Sequence, residues 1–317
     1  MKLNKLFKVF SVVFILSFFV SACGAKHTQT SANEKKETTK LNIGTMPAPD
    51  SLPLYVAQKE GYFKAEGLDV KLTSFKSPKD RDAAIASGQL NAAVSDVVAL
   101  ASYVNGDLGW KSATALTGYF GIVTSDPAVT DVALLKGKTV ATQPRQTPTF
   151  YLDQQLKAHG LTSSDVKIKE VAAIPVRLQL VEQHKADATI LPDPFLSMAK
   201  ASGAKVIAQS DPTKYQTTIL AVDKELGKDQ KVRAKFIRAY NKAVQTIDQH
   251  DASDYQEILV KDLGFPEAIA KNYQLPKYTA ARPVATQMLK EAFNYAKSEG
   301  ILHETKDPAK YQLKVVD

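Results

Sequence analysis

The chain has one cysteine, Cys23, in 317 residues, so it closes no disulfide within itself and offers no paired thiols to a metal or redox centre. Five histidines are present. His27 lies in a polar stretch, and His159, His184, His250 and His303 stand apart, none at the spacing of a zinc site. There is no Gly-x-Ser-x-Gly elbow, Walker loop or dinucleotide-binding glycine fingerprint, so no catalytic residue, metal or cofactor is expected. The strongest apolar run, Val9 to Val20, falls short of the roughly 20 residues that span a bilayer. The formal net charge is +8. Its lysines are scattered among acids, which suits a protein beside an anionic envelope better than a nucleic-acid binder.

What is present starts with a leader. Lys2, Lys5 and Lys8 precede the apolar run, and its length suits the core of a signal peptide. The following Val20-Ser21-Ala22-Cys23 resembles the lipobox of bacterial lipoproteins, with valine in place of the usual leucine. That resemblance implies cleavage after residue 22 and diacylglycerol on the Cys23 thiol. Two acyl chains, at ~0.8 kcal/mol per buried methylene, hold a protein stably on a membrane. The blander alternative is a plain signal peptide or uncleaved anchor with an incidental cysteine. Residues 23–40 are polar with almost nothing to bury and are expected to form a flexible tether. The remaining residues, 41–317, are enough for two lobes. Composition is ordinary for a globular protein, at 44% hydrophobic and 23% charged residues.

A weak internal repeat at an offset of about 96 residues organises this body. The strand 41–45 matches 138–142, and each leads into a helix with proline near its first turn, after Asp50-Ser51 and after Thr147. Gly67-Leu68 and Gly160-Leu161 then turn each chain into an alternating strand, 69–72 and 165–168. Helices near 78–87 and 175–183 follow, then strands 91–94 and 187–190, then an acid at a helix start, Asp96 and Asp193. Two βαβαβ units of this kind predict two α/β lobes with mixed, mainly parallel sheets. Residues 115–124 (ALTGYFGIVT) and 215–222 (YQTTILAV) read as the two strands that cross between lobes and form a hinge. The expected division is residues 41–119 with 220–317 in lobe 1, and 120–219 in lobe 2. From residue 229 to 300 apolar residues recur at helical spacing, Tyr240 among them as core.

The run 52–70 (LPLYVAQKEGYFKAEGLDV) resembles the opening motif of the SsuA/THI5-like (NMT1-type) periplasmic binding proteins. So does the run 84–94 (AIASGQLNAAV), while 135–141 (LKGKTVA) opens the second lobe in the family manner. The resemblance implies the type II periplasmic binding protein fold. It also implies capture of a small polar or anionic solute, such as a sulfonate, nitrate or thiamine precursor, for an ABC permease and its ATPase. The expected protein is a monomer, lipid-anchored on the extracytoplasmic face of the cell membrane. In the second-lobe loop the family often has Gly-Ser or Gly-Thr, where this chain carries residues 143–149 (QPRQTPT).

Ligands of parallel α/β sheets bind beyond the carboxyl ends of the strands, where helix N-termini gather. The candidate contacts at those ends are Thr45, Asp50, Ser51, Phe75, Ser95, Asp96, Tyr119, Arg145, Thr147, Thr149 and Asp193. The fork of Arg145 suits a sulfonate or carboxylate, or it is an exposed loop residue. Asp193 would receive a ligand amino group, latch onto Arg145 across the cleft, or cap its helix. Asp96 is a good ordinary cap, Tyr119 stacks on a flat ligand or packs in the hinge, and Arg177 reads as a solvated helix face. Two other functions use related ingredients. The THI5 branch makes the thiamine pyrimidine, which implies a cysteine-rich iron motif and a positioned histidine; the only cysteine here is Cys23. A sensor docked to a membrane signalling protein has the same sequence features as a transport receptor.

Overall fold

Strand β1 (Thr39–Thr45) buries Leu41, Ile43 and Thr45 on a period of two and pairs in parallel with β2 (Leu68–Ser74) over its whole length. The structure is a computed structural model and describes residues 38–316. The signal segment, Cys23 and most of the expected tether lie outside the described residues. Thr39 and Lys40, assigned to the tether from composition, instead pair with Leu68 and Asp69 as the start of β1.

The first sheet adds β3 (Ala92–Asp96) and β4 (Lys111–Ala115), and the second consists of β5 (Gly121–Thr124), β6 (Thr139–Thr142), β7 (Lys167–Glu170), β8 (Ala188–Leu191) and β9 (Lys205–Gln209); β10 (Thr218–Val222) returns to the first. The strand orders are β2-β1-β3-β10-β4 and β7-β6-β8-β5-β9. In each, the strand that arrives from the other lobe runs antiparallel: β10 beside β3 and β4, β5 beside β8 and β9. These are the two mixed α/β sheets expected.

The repeat extends to single hydrogen bonds. Asn91 N–H donates to the Asn42 carbonyl and Asp187 N–H to that of Thr139, while the side chains of Asn91 and Asp187 accept back from Asn42 N–H and Thr139 N–H. Phe75 N–H donates to the Thr45 carbonyl just as Val171 N–H donates to that of Thr142.

Neighbouring residues of the central strands face opposite ways. Val94 and Leu220 join one core cluster with helices α1 (Leu52–Lys59) and, later in the chain, 230–247; Ala93, Ile219 and Ala221 join another with helix 97–105 and helix 286–298. In the second sheet Ile122 and Ile190 face one way, Val123 and Leu191 the other. Burying both faces explains why these strands are apolar throughout. The remaining helices that matter here are α2 (Pro78–Ala86), α3 (Val97–Asn105), α4 (Thr147–Ala158), α5 (Ile174–Glu182), α6 (Phe195–Ala201), α7 (Gln230–Ile247) and α8 (Thr286–Ser298). Residues 271–285, expected to be helical, contain no helix.

Candidate functional site

Because β1, β2 and β3 are parallel to one another, as are β6, β7 and β8, their carboxyl ends lie along one edge of each sheet. The loops leaving those edges are residues 46–48, 75–77, 143–146, 171–173 and 192–194. The chain crosses between sheets at residues 116–120 and 210–217. Leu116 N–H donates to the Thr218 carbonyl and Ser210 N–H to that of Phe120, which ties the crossings to their neighbouring strands.

Asp50 sits where lobe 1 meets these crossings. Its Oδ1 accepts from the Ser51 hydroxyl at 3.3 Å. Its Oδ2 lies so near Gly118 that a Cβ there would stand 3.3 Å away, and the same Cβ would meet the Thr218 hydroxyl at 2.0 Å. Only glycine fits between the two. Burial pushes the Asp50 carboxyl pKa up to about 7, against the opposing pull of the Ser51 hydroxyl and the Arg81 guanidinium. Yet the residue keeps part of its surface in contact with solvent.

Asp193, just before α6 in lobe 2, is 3% exposed. Its Oδ2 accepts from the hydroxyls of Tyr119 and of Tyr273, the latter at 3.1 Å, and those hydroxyls lie 2.8 Å apart. Its Oδ1 accepts from Ser197 N–H at 2.8 Å and caps α6. Tyr278 is buried and donates to the Pro49 carbonyl at 2.8 Å, one residue before Asp50. Burial, then the fields of Tyr119, Asp50, Tyr240 and Asp193, hold the Tyr278 hydroxyl well above its usual pKa. Tyr240 is fully buried, and its hydroxyl has no hydrogen-bond partner. Buried phenols thus gather near both carboxyls: Tyr119 and Tyr273 bond Asp193, while Tyr278 and Tyr240 lie in the field of Asp50.

The other predicted positions are spread over the strand ends of both sheets. Thr45 and Ser95 are buried, with hydroxyls on Tyr55 and Tyr103 respectively, each at 2.8 Å. Ser51 does not cap α1 through its side chain; its hydroxyl donates to the Met46 carbonyl, and α1 begins at Leu52. Phe75 is half-buried and packs over Gly44. Asp96 caps α3 through Val98 N–H and Ala99 N–H, and also accepts from the Thr147 hydroxyl of lobe 2 at 2.6 Å. Thr147 is therefore the first residue of α4 rather than its cap, which is Gln146. The Thr149 hydroxyl turns back to the Gln143 carbonyl.

Arg145 is exposed, takes a left-handed φ of 66°, and donates to the Gly300 carbonyl of lobe 1 at 3.1 Å. Arg145 and Asp193 do not contact each other. Arg177 contradicts its reading as a solvated residue: it is 4% exposed. The loop that leads into α5 folds over it, so its guanidinium donates to carbonyls of that loop instead of to water.

The lobes also meet where α4 packs on α8. Phe150 of α4 packs within the lobe 1 core, its ring 5.2 Å from that of Tyr295. Gln154 donates to Glu291 at 2.7 Å and accepts from Tyr215 at 2.6 Å.

Sequence reasoning missed Tyr273 and Tyr278, which come from the non-helical stretch after residue 270, and it placed Tyr240 in the core without noticing its polar end. Two tyrosines flanking Leu275-Pro276 in a segment without period are the signal that was available. Among the described residues no group of His, Cys, Asp and Glu could hold a metal, and no helix is long and apolar enough to cross a membrane.

Comparisons with known proteins agree with this architecture. Residues 48–253, more than half of the chain, match the family model described as NMT1/THI5 like. A curated relative is YtlA of Bacillus subtilis (strain 168), whose name proposes a binding protein; it is 24% identical over 256 residues, covering 77% of this chain and 74% of that one. The periplasmic aliphatic sulphonate-binding protein SsuA from Escherichia coli superposes with a TM-score of 0.72 at 16% identity, over 88% of this chain and 93% of its own. The periplasmic nitrate-binding protein NrtA from Synechocystis PCC 6803 does so with a TM-score of 0.69 at 17% identity, over 87% and 86%. The desulfurization enzyme DSZB shares the fold with a TM-score of 0.61 at 13% identity, over 87% and 96%. With two periplasmic-binding-protein lobes and a family match that runs through both, this chain belongs to the NMT1/THI5-like family.

Proposed function

We propose that this protein is the solute receptor of an ABC importer, held on the extracytoplasmic face of the membrane by lipid on Cys23, and that its solute carries an amino or amidine-type group. The observation that carries the solute class is the pair Asp50 and Asp193, one carboxyl on each lobe, whose fields both reach the buried Tyr278 hydroxyl, with Asp193 also accepting from Tyr119 and Tyr273. A protonated amino group entering between them gains two charge-assisted hydrogen bonds and takes over donors that the tyrosines now supply. It also draws residues 41–119 and 220–317 toward residues 120–219, and that closed pair of lobes is the form a permease distinguishes from the open one. Tyr119 and Tyr273 supply ring faces for a flat solute.

Asp96 strengthens the bias toward an amino group. It occupies the N-terminal side of α4, the place where an anionic solute of a binding protein would be sought, and it brings a third carboxylate to the rim. Arg145 contacts a solute only after releasing Gly300. The family match and the names of the related binding proteins support transport, while DSZB is a reminder that this fold alone does not decide against catalysis.

A thermal-shift panel tests the reading, since a ligand of the native state raises its apparent stability by mass action. The panel pairs aminopyrimidines, amidines and amino acids with des-amino analogues, alongside alkanesulfonates and nitrate. The amino-bearing member of a pair should bind at least tenfold more tightly. Equal binding within the pairs, or tightest binding by nitrate or a plain alkanesulfonate, would refute the solute class.

A further inference from the structure

The internal repeat superimposes two arginines. Arg81 and Arg177 each stand three residues into a helix, at the fourth position of α2 and of α5, and are 3% and 4% exposed. Their surroundings differ. Arg81 meets Asp82 at 2.9 Å and Asp96 at 3.9 Å, so its charge is balanced inside lobe 1. Arg177 has Leu178 where lobe 1 has Asp82. Asp193, the counterpart of Asp96, is turned instead to Tyr119 and Tyr273.

Among the described residues no acid comes within ion-pair distance of Arg177. Its Nε and Nη2 donate to the carbonyls of Val171 and Ala172 at 2.7 and 3.0 Å, and its Nη1 is buried without a partner. Burial alone draws its pKa down to about 10, with no neighbouring charge to oppose the shift. A buried cation without a counter-ion is one of the costliest arrangements in a folded protein. The cost persists here at the carboxyl edge of the second sheet, among the loops that also present Thr147 and Asp193. The two carbonyls that Arg177 holds immediately precede Ala173, the residue at the start of α5. The guanidinium therefore lies beside a helix N-terminus with no side-chain cap, where Ile174 and Val176 carry the first N–H groups and Pro175 has none.

We infer that Arg177 is the receptor for an anionic group on the transported solute, so that the solute is a zwitterion: its amino group lies between Asp50 and Asp193, and its carboxylate, sulfonate or phosphate lies at the start of α5. The inference rests on the solute-binding reading above and adds the second charge. The anion reaches Nη1 when Ala172 and Ala173, both small and exposed, shift and Arg177 releases the Ala172 carbonyl, while Val171 stays anchored to the Thr142 carbonyl. In lobe 1 the acids Asp82 and Asp96 already pair with Arg81.

The test follows the guanidinium 15N signals of Arg177 in the wild-type protein while inorganic phosphate is titrated at constant ionic strength against chloride, with benzamidine titrated in parallel. A saturable shift with phosphate and none with chloride is expected. By calorimetry, Arg177→Lys should lose about tenfold in phosphate affinity and Arg177→Met should lose it entirely. An unmoved Arg177 signal, or phosphate affinity unchanged in Arg177→Met, overturns the inference. Benzamidine reports separately on Asp50 and Asp193. Benzamidine binding without phosphate binding leaves the solute class standing and removes the anion subsite; the reverse result keeps the subsite and removes the solute class.

Discussion

Asp50 makes stability depend on pH with a sign opposite to that of most carboxylates. Its unfolded pKa is ~3.9, and burial raises the folded value to about 7. Between those values the folded carboxyl keeps a proton that the unfolded chain has lost, so folding takes up a proton and stability falls as pH rises. The contribution is fully present below about pH 4 and is lost as pH rises through about 7. At ~1.4 kcal/mol per pH unit the ceiling is roughly 4 kcal/mol. Residual solvent contact screens the group, so roughly 2 kcal/mol is the better expectation. Chemical denaturation at pH 5 and pH 8 covers about two-thirds of that window, so the wild type should be less stable at the higher pH by roughly 1.3 kcal/mol, and Asp50→Asn should remove most of the difference. The same logic gives binding a pH dependence: a protonated amine needs Asp50 ionised, so its affinity should rise with pH through about 7 until the amine itself deprotonates. A flat stability profile in wild type, or an unchanged slope in Asp50→Asn, would refute the placement of this carboxyl.

Three further changes probe the hinge and the band of phenols. Gly118→Ala drives a methyl into the Thr218 hydroxyl, 2.0 Å away, and pushes apart the crossing strand and β10; solute affinity measured by calorimetry should fall at least tenfold. Tyr273→Phe keeps the ring packed on Phe265, at 4.6 Å between centroids, but removes one donor to Asp193, which should cost ~1–2 kcal/mol in urea unfolding. Phe150→Ala deletes a 2% exposed ring that lobe 2 places in the core of lobe 1; a loss of ~3–4 kcal/mol is expected. Small-angle scattering should then show a larger radius of gyration for that variant without solute.

The architecture was legible because it repeats. Strands such as 69–72 and 187–190 alternate or run apolar between turn residues, and the same order recurs about 96 residues on. Helix starts were less legible. Proline after Ser51 and after Thr147 suggested caps, but neither hydroxyl caps its helix: Ser51, at the cap position of α1, donates to Met46, and Thr147, the first residue of α4, donates to Asp96. Arg177 looked solvated because helical spacing reports only which residues share a face. Whether a loop folds back over that face is a tertiary matter. Tyr273 and Tyr278 were illegible for a related reason. Their segment has no period, and contacts more than 150 residues away, to Tyr119 and Pro49, set their roles. Asp50 and Asp193 could be named from strand ends; the buried tyrosines gathered near them could not.

Calorimetric titration of the tightest amino-bearing solute into wild type, Asp50→Asn and Asp193→Asn tests the central claim most directly. The account predicts that each substitution weakens binding by at least tenfold, about 1.4 kcal/mol, while alkanesulfonate binding is unaffected or improves. Unchanged affinity in both variants would contradict it.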